Sequence, residues 1–217
     1  GFAFMLHHVR PDQGHDFAPN RLLEVTPAFL ETSIVHARSA GYEFVDLDEA
    51  WARLTAGEDQ PRFCTLTFDD GYRDFVEYAL PVLRRQQCPF TLYVPTALVD
   101  GVGEVWWQAL EDIVAARDAL AVEIGGDTEI VPTATLREKT AAYDALYLRM
   151  RTMPEPARVA LIRDLAAKYD YDLGAQCRAL IMDWSELRGL AADQLCTIGA
   201  HTVHHYELAK LPAEPAQ

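Results

Sequence analysis

The chain has 217 residues, which is enough for one large domain with an insertion. Its 19 Lys and Arg residues against 33 Asp and Glu residues give a net charge of −14, which disfavours nucleic acid and anionic lipid as partners. Half of the residues are apolar and 24% are charged, which is typical of folded globular proteins and excludes a disordered chain.

The chain opens with an apolar run, residues 1–6, that is much too short to span a membrane and has no basic residues before it. It predicts a buried strand and not a signal peptide. Because residue 1 is Gly and not Met, localisation stays open, with the cytoplasm as the starting expectation. The four cysteines are widely spaced without a Cys-x-x-Cys pair, so we expect buried free thiols and a mildly reducing compartment.

Short apolar runs then alternate with segments of helical period. Thr26 as N-cap, Pro27 at the first helical position and Gly41 as a stop delimit the first predicted helix. Further helices are predicted at residues 48–55, at residues 74–86 and from Ser185 onwards. The predicted strands cover residues 2–9, 42–47, 63–68, 90–94 and 196–200. The alternation predicts an α/β fold with a parallel sheet, doubly wound or closed into a barrel, with active residues at the carboxyl ends of the strands.

Residues 101–182 interrupt this alternation and are predicted to be mostly helical, which we interpret as an insertion. The predicted helical stretches cover residues 106–120, 135–151 and 156–168. Trp106 and Trp107 at the start of the first stretch could stack on sugar rings, but paired tryptophans at the start of an amphipathic helix are more often part of a core.

The first chemically informative motif is Thr-Phe-Asp-Asp-Gly-Tyr at residues 67–72, at the end of a predicted strand. Two adjacent carboxylates repel each other unless a cation or hydrogen bonds compensate them. Because successive side chains of a strand point in different directions, one of Asp69 and Asp70 can bind a metal while the other transfers a proton. A turn or a helix cap also suits this motif, so it does not decide the matter alone.

The second motif is His-Thr-Val-His-His at residues 201–205, directly after the last predicted strand. One helical turn would place His201 and His205 on the same side, as two ligands of one cation require, and would point His204 elsewhere. Three of the seven histidines lie within these five residues, which favours a metal site over a structural role. No Glu lies between the two outer histidines, unlike the His-Glu-x-x-His of zinc proteases, so the base must come from elsewhere.

Asp69 and Asp70 can supply the third metal ligand and the general base that the histidine motif lacks. Two His and one Asp make a site with three protein ligands and an open position for water, which is the stoichiometry of catalytic zinc. A metal in such a site lowers the pKa of its bound water from 15.7 to about 7 and polarises a carbonyl oxygen. The two motifs together therefore predict hydrolysis of an amide or an ester.

Residues 67–71 and 201–205 resemble the first two signature motifs of the polysaccharide deacetylases, carbohydrate esterase family 4, in their order and in their placement at strand ends. The resemblance implies a distorted (β/α) barrel with fewer than eight strands. It also implies a carbohydrate substrate, with a glycan containing N-acetylglucosamine as the expectation, and removal of its acetyl groups.

The resemblance further implies roles for particular residues. Asp69 would be the general base, and Asp70, His201 and His205 would bind one divalent metal ion, most often zinc in this family. Thr202 matches the Ser or Thr of the second motif and would support the neighbouring ligands.

Residues 5–9, Met-Leu-His-His-Val, resemble the Tyr-His-x-Val opening of a subgroup, the exopolysaccharide N-deacetylases, whose motif order is circularly permuted. On that resemblance His7 takes the role of general acid, although a first strand can also hold a packing histidine. The later motifs of the family would follow residue 205. We therefore expect an incomplete barrel, one deacetylase domain over residues 1–217 that is truncated at its C-terminus, with a helical insertion at about 101–182.

Two other functions stay open on the sequence alone. A non-catalytic, glycan-binding relative that keeps the fold is suggested by the absence of the later motifs. A metal-independent amidohydrolase on the same scaffold is disfavoured by the pair of His201 and His205. The sugar, its linkage, the oligomeric state, and the choice between N-acetyl and O-acetyl groups are not encoded in the motifs.

Overall fold

The computed structural model describes residues 1–57, 60–124 and 126–213. The chain separates into two compact units. The first unit comprises Gly1–Gln13, Leu23–Gly101 and Arg178–Val203, and the second comprises Gly14–Leu22, Val102–Cys177 and His204–Gln217. The second unit therefore contains most of the predicted insertion together with two segments that lie outside it.

The strands are, in chain order, β1 (Phe2–Leu6), β2 (His8–Val9), β3 (Glu24–Val25), β4 (Glu43–Phe44), β5 (Phe63–Asp69), β6 (Phe90–Val94), β7 (Ala119–Ile124), β8 (Asp127–Pro132) and β9 (Cys196–Ala200). In the first unit, β1, β5, β6 and β9 lie side by side in one parallel sheet, and β4 pairs with the start of β5. The short strands β2 and β3 form a separate parallel pair. The α/β class with a parallel sheet is thus confirmed.

The helices are α1 (Pro27–Ser39), α2 (Leu47–Ala56), α3 (Leu80–Arg85), α4 (Thr96–Val99), α5 (Trp106–Ala115), α6 (Leu136–Thr152), α7 (Glu155–Lys168), α8 (Leu173–Leu180) and α9 (Trp184–Ala191). Short 3-10 helices cover Pro19–Leu23 and Leu208–Lys210. α1 begins as predicted, because the Thr26 hydroxyl accepts a hydrogen bond from the Phe29 N–H at 3.1 Å and Pro27 needs no partner at the first helical position. Gly41 follows the helix in a left-handed conformation with φ of 82°.

β5 lies at the centre of the first unit, and all seven of its residues are buried. Phe68 of β5 contacts Phe75 with 4.8 Å between ring centroids, and Phe75 contacts Phe90 of β6 at 5.1 Å. Residues 63–68 are apolar or threonine and include no charged residue, which suits a strand covered on both faces and is how the sequence revealed it. The sheet runs from β1 to β9, and no pairing between these two strands is found among the described residues.

The N-terminal strand differs from the prediction in length and in burial. The predicted strand at residues 2–9 is divided at His7 into β1 and β2, and its start is not buried: Phe2 is 40% exposed and Met5 is 67% exposed. β1 pairs with β5 along one side only, and the described residues provide no second strand partner. Its apolar residues therefore lie at an edge of the sheet and not in its centre.

The predicted helix at residues 74–86 is also divided. Phe75–Ala79 form a π-helical turn, and α3 follows from Leu80. Pro81 explains the division, since proline lacks the N–H that a continuous α-helix requires and is tolerated only in the first turn.

The second unit contains a β-hairpin that the sequence analysis did not predict. The expected helix at residues 106–120 ends at Ala115, and β7 then pairs with β8 in antiparallel fashion. Leu120 and Val122 of β7 are fully buried, and Glu123 is exposed. α6 begins close to its predicted start, because Thr135 and Glu138 form a reciprocal capping box.

All four cysteines have free thiols, as predicted; Cys64, Cys88 and Cys177 are buried and Cys196 is half-buried. Among the described residues, no helix combines the length and the apolar character needed to cross a membrane.

Candidate metal centre

The first candidate motif lies in a loop that we call the aspartate loop, residues 69–74, at the carboxyl end of β5. Asp69 is the last residue of the strand, and it is buried. Asp70 and Gly71 both adopt left-handed backbone conformations, with φ of 71° and 75°. Glycine suits the second position, since a Cβ there would lie 3.1 Å from Cγ1 of Val94 in a conformation that other residues rarely adopt. The chain therefore turns sharply directly after the strand.

Main-chain hydrogen bonds hold the aspartate loop within the first unit. The carbonyl of Gly71 accepts a hydrogen bond from the N–H of Met182 at 3.0 Å, and the N–H of Arg73 donates to the carbonyl of Leu180 at 2.7 Å. The Arg73 guanidinium binds both carboxylate oxygens of Glu186, with Nε and Nη2 at 3.0 Å from their nearest oxygens. Asp70 is only 1% exposed in this setting. A carboxylate so deeply buried is costly unless a positive charge or hydrogen bonds compensate it.

The second candidate motif lies in the histidine loop, residues 201–207, at the carboxyl end of β9. The N–H of His201 continues the sheet by donating to the carbonyl of Val94 at 3.1 Å. The predicted helical turn over residues 201–205 is wrong, because this segment is an irregular loop. Thr202 and His205 instead adopt left-handed conformations, with φ of 64° and 56°. The loop is therefore folded by two local reversals and not by helical spacing.

The structure nevertheless brings the three predicted ligands together. Asp70, His201 and His205 each offer one ligand atom, and these atoms all lie within 4.8 Å of one another. Nε2 of His201 is 3.8 Å from Oδ1 of Asp70. One carboxylate oxygen and two imidazole nitrogens are the donor set of many catalytic zinc sites, in which a fourth position stays open for water or substrate. The donor set and the burial of Asp70 fit a divalent cation.

Asp69 and Thr202 flank these three residues in the sequence. Asp69 occupies the end of β5 directly before Asp70, so its carboxylate starts from the same edge of the sheet. The Thr202 hydroxyl is buried, and no hydrogen-bond partner for it is found within the described part of the chain. Its supporting role beside the ligands stays a prediction.

His7 and His8 occupy the point where β1 gives way to β2. His7, the predicted acid, is half-buried, whereas His8 is only 3% exposed. Nδ1 of His8 lies 2.5 Å from Oδ2 of Asp74, and its ring centroid is 3.6 Å from that of Tyr72. A carboxylate at Nδ1 fixes the orientation of an imidazole and decides which ring nitrogen carries a proton.

The pairing of His8 with Asp74 was missed by the sequence analysis. The sequence shows Asp74 as a third acidic residue only four positions after Asp70. Its partner, however, is 66 residues away in the sequence, and no local pattern links the two. His8 is buried and paired with Asp74, whereas its neighbour His7, the predicted acid, is half-buried.

Comparison with protein families gives one match. Residues 56–124 match the family described as polysaccharide deacetylase. This match includes the aspartate loop and confirms the resemblance predicted from the motifs, whereas the histidine loop lies outside the matched range. No curated protein matches the sequence significantly.

Several solved structures are similar to this chain. A de-N-acetylase from Aggregatibacter actinomycetemcomitans is 13% identical, with a TM-score of 0.49, and the match covers 92% of this chain and 54% of that one. The BpsB deacetylase domain from Bordetella bronchiseptica is 15% identical over 91% of this chain and 54% of that one, with a TM-score of 0.40. The deacetylase PplD from Streptococcus pyogenes, in complex with acetate, is 25% identical over 45% and 43% of the two chains, with a TM-score of 0.36. The chain thus spans about half the length of the structures it resembles.

Proposed function

We propose that this chain forms the metal-binding part of an enzyme that hydrolyses acetyl groups from carbohydrate. The proposal starts from the match of residues 56–124 to the polysaccharide deacetylase family. The observation that supports this proposal most strongly is the meeting of Asp70, His201 and His205 from the carboxyl ends of two strands of one parallel sheet. In open and closed α/β folds alike, this is the edge at which active sites form.

The three ligands define the cation that fits. Asp70, His201 and His205 would hold one divalent ion, and zinc suits a mixed set of imidazole and carboxylate donors. When bound, such an ion supplies an activated water and polarises the carbonyl oxygen of the acetyl group. The neighbouring side chains of this protein supply binding, orientation and proton transfer.

Asp69 is proposed as the general base. It is buried at the end of β5, adjacent in sequence to a ligand, where a carboxylate can accept a proton from the attacking water. Asp70 would bind the cation and Asp69 would transfer the proton, so the two carboxylates have separate roles.

His7 is proposed as the general acid that protonates the leaving amine. The neighbouring His8 is buried and is held by Asp74 and by the ring of Tyr72, so it fixes the backbone from which His7 projects. His7 is the more accessible of the two, as a group that must reach a substrate requires. His8 and Asp74 are therefore proposed as positioning residues.

The proposed substrate is a glycan that contains N-acetylglucosamine, as for exopolysaccharide N-deacetylases. The net charge of −14 fits a neutral saccharide and opposes a polyanionic one. Hydrolysis of the N-acetyl group leaves an amine on the sugar and releases acetate, which can be measured directly.

The proposal is tested by acetate release from N-acetylglucosamine oligomers with and without a divalent ion. Asp69→Asn should lower kcat by about 100-fold to 10,000-fold while the affinity for Zn²⁺ stays close to wild type. Asp48→Asn, at an exposed position of α2, is the matched control.

Turnover that survives Asp69→Asn contradicts the assigned base. Glycan binding without turnover in the metal-loaded wild-type protein would favour the non-catalytic relative instead. Turnover that is independent of any divalent ion would favour the metal-independent amidohydrolase.

A further inference from the structure

The segment that contains His205 is fixed by side chains of α7, in the second unit. The N–H of Glu207 donates a hydrogen bond to Oε1 of Glu155 at 3.0 Å, and the ring of Tyr206 lies 5.7 Å from the guanidinium carbon of Arg158. Both α7 residues are almost completely buried, Glu155 at 1% and Arg158 at 3% exposure. The two residues that directly follow His205 are therefore attached to a buried ion pair.

The same ion pair also contacts the tryptophans of α5. Nε and Nη2 of Arg158 donate to Oε2 of Glu155 at 2.8 and 2.5 Å, and its guanidinium lies 5.2 Å from the ring centroid of Trp106. The guanidinium thus contacts two aromatic rings, those of Trp106 and Tyr206. Such contacts are favourable for a cation that is removed from water.

The ring of His205 itself contacts the next tryptophan of α5. The ring centroids of His205 and Trp107 are 4.9 Å apart, and Trp106 and Trp107 pack edge to face at 5.8 Å. These two tryptophans are buried, which confirms that they form core and not a sugar platform. One continuous cluster therefore contacts the ring of His205 and fixes the chain directly after it.

The backbone of His205 needs such support. Its φ of 56° lies in the left-handed region, which is unfavourable for a residue with a side chain. Conformations of this kind persist where the surrounding contacts determine them. Glu155 and Arg158 lie about 45 residues before the histidine loop in the sequence and belong to neither family motif.

We propose that the buried pair of Glu155 and Arg158 positions His205 for metal binding, so that the segment inserted between the two motifs is part of the metal centre's support. The inference rests on the proposed function in one respect, namely that His205 is a ligand. Through Tyr206 and Glu207 the pair sets the direction of the imidazole, and Trp107 confines its ring.

The test measures metal affinity and ligand geometry in the full chain. The double variant Glu155→Gln and Arg158→Met removes both charges together, so it does not leave one buried charge without a partner. We expect the Kd for Zn²⁺, measured by competition with a chromophoric chelator, to rise about 10-fold to 100-fold. The visible spectrum of bound Co²⁺ should change at the same time, because it reports the arrangement of the ligands.

Three further variants separate positioning from general stability. Tyr206→Leu leaves the ion pair intact but removes the ring that contacts Arg158, and it should also weaken Zn²⁺ binding. Tyr206→Phe keeps the ring and should restore wild-type affinity. Arg163→Met removes another ion pair of α7, the one between Arg163 and Glu104, and should leave Zn²⁺ affinity and the Co²⁺ spectrum unchanged.

The proposal is overturned if the folded double variant shows wild-type Zn²⁺ affinity and a wild-type Co²⁺ spectrum. If that variant does not fold, Tyr206→Leu decides the question by the same two measurements. A wild-type chain that binds no Zn²⁺ would instead overturn the proposed function, so the two failures are distinguishable.

Discussion

The two loops that provide the candidate ligands are held in different ways. The aspartate loop, residues 69–74, is fixed by main-chain bonds to Leu180 and Met182 and by one arginine, all within the first unit. The histidine loop, residues 201–207, is also held by main-chain bonds over its first three residues, since the carbonyls of Thr202 and Val203 accept from the N–H groups of Thr96 and Ala97. It passes into the second unit at His204. There it is held by side-chain contacts.

The difference shows that a sequence motif can contain the ligands of a site without containing all of the residues that hold those ligands in place. The aspartate loop has a glycine, Gly71, at one of its two left-handed positions, and its own Arg73 anchors it to Glu186. The histidine loop has no glycine at its left-handed positions, Thr202 and His205. Beyond Val203, side chains of α5 and α7 contact the histidine loop, and these residues are not part of the motif.

The largest expected effect concerns the ligand that the aspartate loop supplies. Asp70→Asn removes the only carboxylate among the three predicted ligands, so the Kd for Zn²⁺ should rise by about 100-fold or more, beyond the loss that supporting residues cause. Isothermal titration with Zn²⁺ measures this change, and Asp48→Asn on the exposed face of α2 serves as the control. An unchanged Kd would show that Asp70 is not a ligand.

The turn of the aspartate loop provides the second prediction. Gly71→Ala places a Cβ at a φ of 75° and 3.1 Å from Val94, so the free energy of unfolding should fall by about 1–2 kcal/mol. Urea denaturation followed by circular dichroism measures it. The matched control is Gly189→Ala within α9, where no atom lies within 4 Å of the added methyl group.

That control should stabilise the protein by about 0.5 kcal/mol, because alanine is favoured over glycine inside a helix. Equal effects of Gly71→Ala and Gly189→Ala would contradict the view that the aspartate loop encodes its own turn.

The third prediction concerns the anchor of the aspartate loop and its dependence on pH. Hydrogen bonds from Arg73 lower the pKa of Glu186, although partial burial opposes this. A depressed pKa in the folded state means that the stabilisation is present above the ordinary pKa of Glu and is lost as the pH falls through the folded value. At neutral pH, the free energy of unfolding of wild type should be about 0.5 kcal/mol higher than that of Glu186→Gln, which is typical of partly exposed ion pairs.

The unfolding free energies of the two proteins should converge as the pH falls below the lowered pKa of Glu186, because the carboxylate is then protonated in the folded protein as well. Urea titrations at a series of pH values provide the comparison. A difference that grows as the pH falls would have the wrong sign for this anchor.

The smallest expected effect lies outside both loops. The pair of Arg85 and Glu31 links α3 with α1 at the surface, with Arg85 Nη2 at 2.9 Å from Glu31 Oε2. Arg85→Met should leave the free energy of unfolding close to that of wild type, because solvent screens an exposed ion pair, and it should leave Zn²⁺ affinity unchanged. A large effect on Zn²⁺ affinity would mean that the metal centre responds to general stability, which would weaken the contrast between the loops.

Local patterns in the sequence predicted the elements that depend on local chemistry. The cap at Thr26 and the buried strand β5 were recognised because a capping residue and a short run without charged residues are both visible in adjacent residues. The hairpin of β7 and β8 was missed, although Leu120, Val122 and the exposed Glu123 follow the alternation of a half-buried strand. Helical patterns on both sides concealed this short signal.

For the candidate site, the identity of the three clustered residues was predictable and their support was not. The spacing of His201 and His205 suggested a helical turn, but the loop reaches the same result by left-handed residues. The pairs of His8 with Asp74 and of Glu207 with Glu155 join residues separated by 66 and 52 positions. Such partners are set by the tertiary fold, so no local pattern reports them.

The buried cysteines have a practical consequence for studying the two units. Burial raises the pKa of the Cys64 and Cys88 thiols to about 11 and that of Cys196 to about 12, and Cys177 is fully buried. Thiols of this kind react slowly with maleimides at neutral pH, because the thiolate is the nucleophile.

Fluorophores can therefore be attached at introduced cysteines without removing the native ones. Leu54 in the first unit and Leu148 in the second are both 65% exposed, which makes Leu54→Cys and Leu148→Cys a suitable pair of attachment sites. Energy transfer between the two dyes, with and without Zn²⁺, would then report whether metal binding changes the separation of the two units.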